Sequence, residues 1–170
     1  MPRFRRLRPP DPARVLETDP SLAVQRGLAL IAQRPRTATD LRGRLGDRFD
    51  EQAVEAALAR LTELGYVDDA AWATGYVART RSTERSARVL RSELREHGVG
   101  AETAAAALLE HDDDAAALTA ARRLARSGRG RPPDPRDRRL LAALARRGFA
   151  FDTIERALSR LREEAATPTS

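Results

Sequence analysis

The chain has no cysteine, no lysine and no asparagine, and its only histidines are His97 and His111. Without cysteine there is no disulfide, no thiol nucleophile and no cysteine-ligated metal. Two histidines leave little from which to build a zinc site. Without lysine there is no Schiff base and no P-loop lysine. Aromatic residues are scarce as well, seven in 170, with Trp72 the single tryptophan. Strands draw on aromatic and β-branched side chains, so this scarcity argues against a β-sandwich or barrel. No apolar run approaches the ~20 residues that a membrane span needs. The basic start Met1-Pro2-Arg3-Phe4-Arg5-Arg6 leads into no apolar signal core. A cytoplasmic protein with no membrane partner is expected.

What fills the chain instead is alanine and arginine. All 31 basic residues are arginine, set against 25 acidic ones, for a net charge of +6. Arginine is always ionised and pairs bidentately with carboxylate and phosphate. A basic, arginine-rich protein points to an anionic partner, either nucleic acid or an acidic protein surface. The chain is 41% hydrophobic, too much for a wholly disordered protein of this length.

Residues 1–19 are rich in arginine and proline and read as a flexible tail. Beyond them the apolar pattern is helical. Val24, Leu28, Ile31 and Ala32 form one stripe, and Val54, Ala57, Leu58, Leu61 and Leu64 form another. Asp19-Pro20 opens the first helix, Thr39 or Asp40 the second and Asp50 the third, while Gly65 stops the third. The unit then recurs. Phe49, Val99 and Phe149 are 50 residues apart, as are Val54, Ala104 and Ile154, and Leu58, Leu108 and Leu158. Leu45, Leu94 and Leu144 follow with one residue of slippage. The expected architecture is all-α, an elongated curved array of three tandem three-helix repeats, winged-helix-like without a wing. The repeats span 20–67, 68–112 and 113–164, with an Arg/Pro/Gly linker at 127–135 and a disordered tail at 165–170. A three-helix unit of about 45 residues is marginal alone, so stacked neighbours share a core.

Several motifs carry chemistry. Thr37 to Val67 resembles half of a winged helix-turn-helix, which makes a transcription regulator one alternative reading. Yet Asp68-Asp69-Ala70-Ala71-Trp72 opens a helix where a wing would begin. The supposed recognition helix also bears Glu51, Glu55 and Glu63, which repel phosphate. The Asp68-Asp69 pair reads as an N-cap with an acidic first turn, and Asp113-Asp114 repeats it. Trp72 and Tyr76, at i and i+4, read as core or inter-repeat packing. His97 and His111 read as surface or helix-end residues. Arg85, Arg88, Arg91 and Arg95 fall within an arc of roughly 120° on a helix, with Arg79 and Arg81 ending the preceding one. A second group, Arg122, Arg123, Arg126, Arg129 and Arg131, leads into the linker. Residues 113–170 hold 13 arginines against 8 acids, whereas 68–112 hold 6 against 8. Neither a nucleophile–base spacing nor a phosphate loop is evident, since Gly128-Arg129-Gly130 is too short to cradle one. No catalytic residue, metal or cofactor is expected.

The run Leu61-Thr62-Glu63-Leu64-Gly65-Tyr66-Val67-Asp68-Asp69-Ala70-Ala71-Trp72-Ala73 resembles the signature of the RecX family of regulatory proteins. Leu90-Arg91-Ser92-Glu93-Leu94-Arg95-Glu96-His97-Gly98-Val99 is similar to a second element of that family, and Arg146-Arg147-Gly148-Phe149 to a third. One departure is Ser82-Thr83-Glu84-Arg85, where the family often has a glycine. The resemblance implies tandem three-helix repeats. It implies binding to RecA recombinase filaments on single-stranded DNA, with inhibition of strand exchange, ATP hydrolysis and co-protease activity. It thereby implies a part in homologous recombination, DNA repair and the SOS response. The expected contacts are the two arginine groups above, carried by a monomeric, non-enzymatic protein. A stand-alone nucleic-acid-binding module is the other alternative.

Overall fold

The computed structural model describes residues 16–79, 83–127 and 138–166. These residues form helices α1 (Pro20–Gln33), α2 (Ala38–Leu45), α3 (Glu51–Glu63), α4 (Asp69–Val77), α5 (Ala87–Glu96), α6 (Ala101–Ala107), α7 (Asp113–Ser127), α8 (Arg138–Ala145) and α9 (Phe151–Ala166). The fold is all-α; the one strand-like feature among the described residues is an isolated parallel bridge between Glu17 and Phe49. No described helix is long and apolar enough to cross a membrane. The chain divides into two compact units. One takes the described residues up to Pro35 together with Asp40–Val67, and the other takes Arg36–Thr39 together with the residues from Asp68 onward.

In the first unit the helix boundaries follow local chemistry. Asp19 accepts the Ser21 amide at 2.7 Å, ahead of Pro20 at the first helical position. Asp50 does the same for Ala53 at 2.8 Å. After α3 the chain turns at Gly65, φ 74°, and Tyr66 N–H reaches back to the Leu61 carbonyl at 2.9 Å. This is a Schellman closure, which needs a left-handed residue. Leu41, Leu45, Phe49, Val54, Leu58 and Leu61 fill the core. The end of the expected flexible tail is instead pinned. Glu17 donates its N–H to Arg48 O and accepts Asp50 N–H, both at 3.0 Å. These bonds satisfy backbone groups that the turn before α3 leaves unpaired.

The second unit holds two cores. Ala73, Leu90, Leu94, Val99, Ala104 and Leu108 are buried together, with Trp72, Tyr76 and Val77 packed on them. Ala117, Ala120 and Ala121 of α7 meet Leu140, Leu144, Phe149, Ile154, Leu158 and Leu161. The alanines leave α7 a narrow face against which α9 can lie close. The expected linker 127–135 begins on the last residue of α7, Ser127, and the rest of it lies outside the described residues, as do the residues before 16 and after 166. Helix α9 continues two residues past the expected end at 164.

One arrangement occurs twice in this unit. Ala38 N–H bonds Asp69 Oδ1 at 2.9 Å, Thr37 Oγ1 donates to His97 O at 2.8 Å, and Thr39 lies over Gly98. Likewise Ala87 N–H bonds Asp113 Oδ1 at 2.7 Å, Ser86 N–H bonds Arg147 O at 3.1 Å, and Ser86 with Val89 lies over Gly148. Each glycine has positive φ, 80° and 88°, and a side chain there would collide with its neighbour. The start of α2 departs from the sequence expectation for this reason. It falls at Ala38, before Thr39 and Asp40, because the amide that a local cap would serve is taken by Asp69. The capping of α7 is also displaced by one residue. Asp112 accepts the Asp114 and Ala115 amides, and Asp113 reaches to α5.

Candidate functional site

Helix α5 is built to present arginine. Ser86 caps it, accepting Val89 N–H at 3.3 Å. Leu90 and Leu94, fully buried, fix which side faces inward. That leaves Arg88, Arg91 and Arg95 exposed within an arc of about 60°. Among the described residues none of the three has an ion pair or a side-chain hydrogen bond. Three guanidiniums with free donors on one helix face suit an array of phosphates or carboxylates.

The other expected members of this ridge are engaged. Arg85 pairs with Glu93, which also accepts the Tyr76 hydroxyl at 2.9 Å. Arg79 lies over the Tyr76 ring at 4.8 Å and over Trp72 at 5.7 Å, and its Nε donates to Gly75 O at 3.3 Å. Trp72 and Tyr76 stack at 5.1 Å, with His97 tilted against both. These rings are half-buried packing, as their spacing suggests. Arg81 lies outside the described residues. Glu96 is exposed and forms no ion pair among them.

The second arginine group divides. Arg122 grips Glu164 through two bonds, at 3.0 and 2.5 Å, tying α7 to α9. Hydrogen bonding to Arg122 holds the Glu164 carboxyl below its ordinary pKa, and the same bond raises that of Arg122. Arg123 bonds Glu84 at 2.9 Å, and that carboxylate is buried. A buried carboxylate needs such a partner, and Arg123 supplies it to Glu84. Arg126 is exposed and has no partner among the described residues. Arg129 and Arg131 lie outside them. The structure thus does not bring the two arginine groups together as equals: Arg122 and Arg123 are occupied inside the unit.

The structure adds Arg146 and Arg147. They precede Gly148 in the turn between α8 and α9, where Ser86 N–H meets Arg147 O. A β-carbon on Gly148 would sit 3.3 Å from Arg88 Nη2, so the Arg88 guanidinium lies over this turn. Arg146 is exposed, and Arg147 Nη1 donates to Ala143 O at 3.0 Å. No local signal links residues 88 and 147; only the packing of α5 on the turn does.

Elsewhere several carboxylates are held in ion pairs. Arg156 bonds Asp114 at 2.9–3.2 Å and holds that carboxyl low. Arg42 does the same to Glu55 at 2.6 and 2.9 Å. His111 Nε2 sits 2.9 Å from Arg85 O and 3.3 Å from Asp113. Among the described residues no group of three or more His, Asp or Glu side chains could hold a metal ion. Helix α4 occupies the place where a wing would start.

The helices and this face define an all-α protein with an exposed arginine ridge. A family model described as the third three-helix domain of RecX matches residues 112–158. The chain is 38% identical over 136 residues to the regulatory protein RecX of Stenotrophomonas maltophilia, covering 79% of this chain and 83% of that one. It is 38% identical over 128 residues to the regulatory protein RecX of Thermobifida fusca, covering 72% and 69%. A crystal structure of RecX from Lactobacillus salivarius superposes with a TM-score of 0.71 at 21% identity, over 85% of this chain and 97% of that one. The chain belongs to the RecX family of regulatory proteins.

Proposed function

We propose that this protein is a non-enzymatic regulator that binds RecA filaments on single-stranded DNA. It inhibits their recombinase, ATPase and co-protease activities, and so modulates DNA repair and the SOS response. It works as a cytoplasmic monomer built of three three-helix repeats, 20–67, 68–112 and 113–164. The observation that carries this reading is that Arg88, Arg91 and Arg95 share one exposed face of α5 and have no ion-pair partner among the described residues. A protein–DNA filament offers phosphates and acidic side chains along one path, and arginine recognises both. Arg79 and Arg85 flank the ridge in fixed poses, and Arg126 is a further contact. Membership of a family whose members are named regulatory proteins supports a role in control rather than catalysis.

The test is single-stranded-DNA-dependent ATP hydrolysis by RecA, titrated with this protein at substoichiometric ratios beside a naked-DNA binding assay at the same salt. Inhibition at ratios too low to cover the DNA is expected. Unchanged hydrolysis with tight binding to bare DNA would overturn the proposal in favour of a stand-alone nucleic-acid binder. Arg88→Glu with Arg91→Glu should leave helicity intact and cut inhibition; full inhibition by that variant would remove the α5 ridge from the argument.

A further inference from the structure

Phe151 is the first residue of α9 and is 63% exposed, while its neighbour Phe149 is buried at 5%. The corresponding positions 50 and 100 residues earlier are Ala101 and Glu51, both at the starts of helices. A phenyl ring left in water forgoes the stabilisation that burial would bring. This one opens the helix that follows the Arg146-Arg147-Gly148 turn, the same turn over which the Arg88 guanidinium lies. An exposed ring three residues beyond the glycine that Arg88 overlies offers, together with the α5 arginines that have no partner among the described residues, what a single strand of nucleic acid requires: charge for its backbone and a flat apolar surface for an unpaired base.

From this juxtaposition we infer that Arg88, Arg91, Arg95, Arg146 and Arg147 receive the phosphates of a single strand and that Phe151 stacks on one of its bases. The inference deepens the proposed function and rests on it for the setting in which the strand is met. Arg88, Arg91 and Arg95 are separated along the helix axis by about 4.5 and 6 Å. That is the order of the spacing between successive phosphates of a strand. Duplex DNA hides its bases from a stacking ring, so a single strand is preferred. The stack is indifferent to sequence because every base has a face to offer.

The experiment is equilibrium binding of a fluorescently labelled single-stranded oligonucleotide, read by anisotropy at several salt concentrations with the full-length protein. Phe151→Ala and Phe151→Leu should each lower affinity by about 5- to 150-fold and leave the salt dependence unchanged. Phe151→Trp should bind at least as well as the parent. The double variant Arg146→Gln/Arg147→Gln should reduce the slope of log affinity against log salt by about 1.4 in magnitude, or ~0.7 for each phosphate no longer neutralised. Leucine serving as well as phenylalanine would show an apolar contact without stacking and would overturn the assignment of Phe151. An unchanged salt slope in the arginine double variant, with weakened binding to DNA-free RecA, would mark the face as a protein-docking surface and overturn the inference. Failure of the parent protein to inhibit RecA ATP hydrolysis, with all the DNA effects present, would sink the proposed function and leave the strand-binding face standing.

Discussion

Replacing Gly148 by alanine separates two contributions that a second glycine lets one measure apart. Gly65 and Gly148 both end helices with positive φ, 74° and 88°. At Gly65 an added β-carbon meets nothing within 4 Å. Gly65→Ala should therefore show the backbone penalty alone, about 1–2 kcal/mol for an L-residue held in the left-handed region. At Gly148 the β-carbon would lie 2.5 Å from Ser86 Oγ and closer still to Val89 Cγ2. Val89 is β-branched and stiff. Ser86 is buried and caps α5, so neither can swing away without loss. Overpacking of this kind adds about 1–3 kcal/mol, which puts Gly148→Ala at about 2–5 kcal/mol in all. Urea unfolding followed by circular dichroism, with both variants at one salt concentration and pH, measures the difference. Equal destabilisation by the two substitutions would refute the claim that Gly148 is required by close packing rather than by its turn.

Three further outcomes follow from the packing and the charges. Leu158→Ala should destabilise by about 2–5 kcal/mol, since the side chain is 5% exposed in the core of α7–α9; urea unfolding reads it directly. Asp113→Ala should leave the Ala87 amide without its acceptor, costing about 1–3 kcal/mol and speeding hydrogen exchange at Ala87, while Asp113→Asn restores an acceptor oxygen. The carboxyls of Asp114, Glu55 and Glu164 are held low by Arg156, Arg42 and Arg122. Carboxyls depressed on folding contribute stability that is present above their unfolded pKa, near 4, and lost as pH falls through their lower folded values. Arg156→Gln should therefore flatten the acid side of the stability–pH curve, and high salt should shrink the difference because these pairs are exposed.

The core is legible in the sequence where the 50-residue period holds, whereas α1 buries Ala23, Gly27 and Leu30, one residue off the expected stripe of Val24, Leu28, Ile31 and Ala32. The trios spaced by 50 residues, Phe49/Val99/Phe149 and Leu58/Leu108/Leu158, are buried at 3%, 3% and 5% and at 4%, 6% and 5%. Caps made by a residue on its own helix, such as Asp19 and Asp50, are legible too. What escapes is whatever one segment supplies to another. The amide at the head of α2 is served by Asp69, 31 residues away, and nothing near Thr39 or Asp40 announces that. Charge alone does not distinguish Arg123, spent on buried Glu84, from Arg88, which has no side-chain partner among the described residues. The neighbourhood of Arg88 and Arg147 is likewise a product of α5 meeting the α8–α9 turn.

The pairing of Ala87 with Asp113 also bears on how the protein is made. A ribosome delivers the chain from its N-terminus, so α5 emerges complete before the aspartate that closes its first turn exists outside the exit tunnel. Until residues 113 and 147 arrive, the Ala87 and Ser86 amides have only water or Ser86's own hydroxyl nearby. The head of α5 is then the last part of that helix to set. The arginine ridge it carries acquires its final pose only when the third group of helices has been synthesised. A nascent chain halted with α5 emerged and α7 still inside the tunnel would hold all three ridge arginines yet present them on a helix whose first turn lacks Asp113.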